Sequence, residues 1–112
     1  EAVLHPRVAA AAESSPDGGA LYNAKCGGCH SLATNRIGPA HRGVFGRRAG
    51  TVPGYRYSSP LKTSGIVWND KTLDRWLQNP QQLVPGSKMF LSVPDAAERR
   101  AIIVYLNSAA AR

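Results

Sequence analysis

Apolar positions recur at helical spacing in three separate stretches, and elsewhere the chain is broken up by glycine and proline. The first stretch begins at Pro16-Asp17, where Asp17 or a preceding serine is placed to cap a helix. Ala20, Leu21, Ala24 and Lys25 follow, Tyr22 falls opposite them, and the helix runs into Cys26. The second opens on the cap pair Asn69-Asp70, carries Leu73, Trp76 and Leu77, and stops at Pro80. In the third, opened by Pro94, a stripe of Ala101, Ile102, Tyr105 and Ala109 has Leu106 beside it. Between the first two helices lie Gly38, Pro39, Gly43, Gly46, Gly50, Pro53 and Gly54. That density predicts tight turns and close backbone approach rather than strands. Residues 80 to 93 read as a second irregular loop. The predicted class is all-α, with three to five helices joined by long ordered loops and neither repeats nor a sheet.

Residues 1–15 (EAVLHPRVAAAAESS) stand apart from this pattern. They are Ala-rich without a sustained amphipathic period and read as an N-terminal extension or linker, with residues 16–112 as the folded domain. His5, within them, reads as an exposed side chain. The chain opens without an initiating Met or a signal-peptide pattern, which fits a processed or excised product. A membrane tether or a fusion ahead of residue 1 is compatible with that start. No continuous apolar run is long enough to span a bilayer.

Composition sharpens the picture in two ways. Few of the apolar residues are large aliphatics, because Ala and Gly contribute heavily, so a protein-only core would be thin. Ten Arg and four Lys against seven acidic residues leave a formal charge of +7. Such a surface suits a partner with an acidic docking face. It does not suit nucleic acid, since the cations are scattered and neither a recognition helix nor an aromatic-basic strand motif is present.

The distinctive chemistry lies at Cys26-Gly-Gly-Cys29-His30, which holds the only two cysteines. Two thiols at this spacing, at the end of a helix, can reach the two vinyl groups of one porphyrin and form thioethers. The adjacent His30 is then placed to give an imidazole nitrogen to the iron. A thioredoxin-like redox pair would sit in a βαβ pattern, and none is evident. A zinc site needs a fourth ligand, for which only His5 or His41 remains, at no recognised spacing. A disulfide across two residues would be strained. Covalent haem c is therefore the expected cofactor, and wrapping a porphyrin explains the long loops in so small a domain.

With these blocks in place the chain resembles the class I cytochromes c, in particular the branch holding mitochondrial cytochrome c and its bacterial relatives. Beyond Cys26-x-x-Cys29-His30, the resemblance rests on Ile37-Gly38-Pro39, Gly43-Val44-Phe45-Gly46-Arg47 and Pro53-Gly54-Tyr55-Arg56-Tyr57-Ser58. It continues through Gly65-Ile66-Val67-Trp68, Asn79-Pro80, Val84-Pro85-Gly86-Ser87-Lys88-Met89 and Tyr105-Leu106. The resemblance implies a small fold around one haem, with Met89, the only Met, as second axial ligand opposite His30. A His/Met pair raises the reduction potential relative to two imidazoles and leaves no open position on the iron. It also implies that the Pro39 carbonyl accepts the other ring proton of His30. Arg47, Tyr57, Ser58, Trp68 and Ser87 are nominated as propionate contacts, and Tyr55 as packing near the haem edge. Gly18 and Tyr22 should cross Ile102 and Tyr105, so a large side chain at 18 should destabilise the fold.

Several positions depart from the mitochondrial pattern. Trp76 replaces a Tyr whose hydroxyl reaches the Met sulfur, and Leu61 replaces an amide side chain near the haem. Gln81 and Gln82 replace two docking lysines, while Lys25 and Lys88 remain on the front face. The segment between His30 and Gly38 is several residues shorter, and His41 beyond it reads as surface or packing. These departures favour a bacterial carrier, expected in the periplasm, with the mitochondrial intermembrane space as the alternative. The expected function is a monomeric one-electron carrier, not an enzyme, linking a quinol-oxidising complex or dehydrogenase to an oxidase or reductase. Its rivals are a haem domain of a larger oxidoreductase, a peroxidase-like haem enzyme, and a haem-free structural or metal-binding module.

Overall fold

Each helix begins where a side chain can take up backbone N–H groups that the first turn leaves free. The computed structural model describes residues 17–112, so the extension at 1–15, with His5, lies outside the described residues. The Asp17 carboxylate accepts from the Gly19 and Ala20 amides at 3.0 and 3.2 Å, starting α1 (Gly18–Lys25). Ser58 caps a short α2 (Ser59–Lys62). Asn69 and Thr72 form a reciprocal capping box at the head of α3 (Asp70–Gln78). Asn79 both ends α3 and caps α4 (Pro80–Leu83), and Asp95 caps α5 (Ala96–Leu106).

Five helices thus appear among the described residues, with one isolated antiparallel bridge between Arg48 and Val67 and no strand. Two expectations need correction. The stretch from 80 to 93 is not irregular throughout: Pro80 ends α3 but supplies the first turn of α4. The final stripe does not reach Ala109, which lies exposed beyond α5; the buried positions are Ile102, Ile103 and Leu106.

Helix α1 lies across α5. Gly18 permits the approach, because a Cβ there would stand 2.9 Å from the Ala101 carbonyl carbon and closer still to its oxygen. Tyr22 flanks the crossing, its ring centroid 5.3 Å from that of Tyr105, and Ile102 is fully buried beneath. Helix α3 packs on both α4 and α5. Arg99, buried on α5, pins that junction by donating to Asp74 Oδ1 at 2.7 Å and to the carbonyls of Val93 and Pro94. Trp68 and Trp76, 5.3 Å between centroids, extend the core toward the loops. These elements do not close on one another. They leave a cleft of about 320 Å³ whose walls come from α1, α3, α5 and the long loops.

Candidate cofactor site

The cysteine motif continues α1 as a tight knot. The Cys29 and His30 amides both donate to the Cys26 carbonyl, at 3.1 and 2.9 Å. Gly38 N–H closes on the Cys29 carbonyl at 2.8 Å. The Arg36 guanidinium takes the rest, donating to the carbonyls of Gly27 (2.6 Å), Gly28 (3.2 Å) and His30 (3.3 Å). Every carbonyl from Cys26 to His30 is therefore engaged, and the loop presents its side chains from a fixed backbone. Both thiols are free. Cys26 is buried, and burial pushes its pKa up to about 11, whereas Cys29 is exposed.

His30 is oriented as a ligand would need to be. Its Nδ1 lies 2.9 Å from the Pro39 carbonyl oxygen, which can only accept, so Nδ1 carries the proton and Nε2 keeps its lone pair. Burial lowers the His30 pKa, which favours that neutral form. Gly38 presses on the ring so closely that a Cβ would come within 2.6 Å of both ring nitrogens. His41, expected at the surface or in packing, stacks on His30 with centroids 3.8 Å apart and planes at 18°. It shares a 2.9 Å hydrogen bond with the Tyr22 hydroxyl. Burial, with His30 and Arg47 nearby, holds its pKa well below the usual value, so it too is neutral at pH 7.

The cleft wall collects most of the other nominated residues. Arg47, Tyr57, Ser58, Trp68 and Met89 all line it, together with Tyr55, Leu61 and Trp76. Arg47 is braced on the Ala40 and Arg42 carbonyls, at 3.0 and 3.1 Å. The Tyr57 oxygen accepts from the Val52 amide at 3.0 Å, which leaves its own proton to give. Trp68 is buried and lines the cleft, where a polar group could accept from its indole N–H. Ser58 is occupied in capping α2, and Ser87 does not line the cleft: it is buried, its hydroxyl 3.1 Å from Gln81 Nε2. Tyr55 donates to the Ile37 carbonyl at 2.7 Å and closes one edge.

Three fasteners escaped the sequence reading: Arg36, Asn35 and Gln81. Asn35 donates to the Pro53 carbonyl and accepts from the Ala40 amide, stitching two loops that flank the cleft. All three act on backbone groups, which leave no signature in side-chain pattern.

Two thiols, an imidazole with a free Nε2, a thioether and convergent polar donors on apolar walls form a donor set that fits a haem c. The comparisons agree. The family model described as cytochrome c matches residues 15–110. Cytochrome c from Euglena viridis is 44% identical over 91 residues, covering 79% of this chain and 89% of its own. Cytochrome c2 iso-2 from Magnetospirillum fulvum is 41% identical over 86 residues, 74% of this chain and 90% of its own. The solved structure of cytochrome cH from Methylobacterium extorquens superposes with a TM-score of 0.76 at 38% identity, covering 82% and 98% of the two chains. The chain belongs to the cytochrome c family, and it is a one-electron carrier, not an enzyme, with a covalently attached haem c and redox proteins as its partners.

Proposed function

We propose that Cys26 and Cys29 would carry the thioether bonds of a haem c, that His30 Nε2 and the Met89 sulfur would hold its iron, and that Arg47, Tyr57 and Trp68 would hold its propionates. The observation that carries this reading is the bond from His30 Nδ1 to the Pro39 carbonyl, which leaves Nε2 of a neutral imidazole free on the same rigid loop that carries two free thiols. A haem held there would supply the one-electron redox chemistry. The protein's part is to hold the ligands unchanged in both oxidation states. His30 is fixed by Pro39 and Gly38, so its ring has little freedom to swing when the charge changes. As a soft donor the Met89 sulfur would favour the reduced form, and the apolar walls of Val44, Leu73, Leu77 and Ile102 would keep water out. Arg47 sits with a pKa lowered by burial, a cost that a propionate in the cleft would offset. Ser58 is near enough to the cleft wall to join these donors, whereas the Ser87 hydroxyl belongs to the Met89 loop.

Electrons would pass at the mouth, where Cys29 is exposed and Ile37 and Phe90 are 74% and 76% exposed. Lys25 and Lys88 stand at the same mouth. Lys25 is 3.6 Å from Glu98, and Lys88 donates to the Arg56 carbonyl, so each cation is held in place while still lining the rim. An apolar centre with tethered cations suits brief docking on an acidic face, such as that of a quinol-oxidising complex, dehydrogenase, oxidase or reductase. Attachment of haem to free thiols, and the bacterial cytochrome c2 among the relatives, support a periplasmic location; the intermembrane space is the alternative.

A potentiometric titration followed in the visible spectrum tests the carrier reading. It should give a single one-electron wave with no change in ligation, and reduction by a native partner should slow as salt rises. A two-electron wave, or a rate indifferent to ionic strength, would contradict it.

A further inference from the structure

The segment that carries Met89 is poorly held by its own backbone. Among the described residues, 85–92 make a single backbone–backbone hydrogen bond, from the Ser87 amide to the Val84 carbonyl at 3.1 Å. The next such bond lies at Val93, whose amide donates to the Leu77 carbonyl at 2.7 Å. Pro85, Gly86, Lys88 and Phe90 are all exposed. Two side chains among the described residues fill the gap: Lys88 Nζ ties the loop outward to the Arg56 carbonyl at 2.6 Å, and Gln81 makes every other side-chain bond to it. Gln81 Nε2 donates to the Ser87 carbonyl (2.8 Å), the Met89 carbonyl (2.8 Å) and the Ser87 hydroxyl (3.1 Å). Its Oε1 accepts from the Gly86 amide at 3.2 Å. This orientation is the one the partners allow, because an N–H needs an acceptor and two carbonyls need a donor. The amide also stands on firm ground: α4 is capped by Asn79 and anchored by the fully buried Pro80.

We infer that Gln81 is a positioning residue for the sixth ligand, a latch whose amide governs how readily the Met89 sulfur yields its place to a competing molecule. The inference rests on Met89 being that ligand. With the latch closed, the Met89 carbonyl is fixed and the side chain enters the cleft from a set origin. With it open, the loop keeps only the Ser87–Val84 backbone bond and the outward Lys88 tether to Arg56, neither of which fixes the Met89 carbonyl, and the sulfur can drift from the site without unfolding the core. The position read in the sequence as a lost docking lysine therefore acts inward, on the loop, while Gln82 beside it is exposed and its side chain bonds none of the described residues.

The test uses the ferric holoprotein with cyanide as probe. The wild type should show the weak far-red band of sulfur ligation and bind cyanide slowly. Gln81→Leu should weaken that band and bind cyanide at least ~10-fold faster, equivalent to ~1.4 kcal/mol in favour of the open loop. Gln81→Glu retains the acceptor for Gly86 but sets an anion against two carbonyls, and should shift in the same direction. Gln82→Leu should match the wild type. If both Gln81 variants keep the band and the wild-type cyanide rate, the latch is refuted, even if their denaturant midpoints fall. If the wild type itself lacks the band, it is Met89 ligation that fails.

Discussion

Replacing Gly18 with alanine tests the helix crossing through a single methyl group. The new Cβ would lie 2.9 Å from the Ala101 carbonyl carbon and 3.0 Å from Tyr105 Cβ, with the carbonyl oxygen nearer still. Carbon atoms prefer about 3.5–4.0 Å, so α1 and α5 must part by ~0.5–1 Å, and the obstacle is backbone that cannot rotate away. That separation forfeits a quarter to a half of each contact it opens, around Tyr22, Ile102 and Tyr105. Overpacking of this kind costs about 1–3 kcal/mol. Alanine's helix preference would return up to ~1 kcal/mol in a helix interior, and less here because Gly18 is the first helical residue. A net loss of ~2 kcal/mol is expected, a fall in Tm of roughly 10 °C for a domain this small. Gly19→Ala is the matched control: its Cβ would meet the edge of the Tyr105 ring at 3.4 Å and Asp17 Oδ1 at 3.6 Å, ordinary contacts without backbone in the way, and should stay within ~0.5 kcal/mol. Thermal unfolding of the holoproteins by circular dichroism supplies the comparison. A Gly18→Ala protein that melts at or above the wild type would refute the crossing argument.

Other substitutions probe the ligand side and the α3–α5 junction. Gly38→Ala should expel His30 from its place, since the Cβ would fall within 2.6 Å of both ring nitrogens; a normal low-spin ferric spectrum in that variant would contradict the close approach. Arg36→Ala frees the carbonyls of Gly27, Gly28 and His30 to solvent and should cost about 1–2 kcal/mol in denaturant unfolding, with faster hydrogen exchange at the cysteine motif. Asp74 has its pKa lowered from 3.8, first by its hydrogen bond from Arg99, so the pair stabilises the fold above that value and loses its effect as pH falls through the lower folded one. Asp74→Asn should be about 1 kcal/mol less stable at pH 7, a modest figure because the carboxylate is 40% exposed, and the two proteins should converge in acid.

Helices with a real apolar period were legible from the sequence, as were their caps: Asp17, Asn69 and the break at Pro80 all act as read. The cysteine motif was legible as a local demand of chemistry, whereas the Pro39 acceptor and the need for glycine at 18 came only through the resemblance to the family, since both depend on contacts between distant parts of the chain. The four-residue helices α2 and α4 were not legible, since one turn is too short to show a period and each depends on its cap, Ser58 or Asn79. His41 was also hidden. Its meeting with His30, eleven residues earlier, depends on how the shortened turn between them folds. Gln81 and Arg36 bond backbone carbonyls, and any glutamine or arginine in solvent would look the same in a sequence.

The central claim is that porphyrin and polypeptide are one covalent molecule joined through Cys26 and Cys29. Intact mass measured on the acid-denatured protein tests it most directly. The expected mass is that of the chain plus one haem, with the added mass confined to the peptide spanning residues 26–30. A bare polypeptide mass, with the colour extracted into acidified organic solvent, would contradict it.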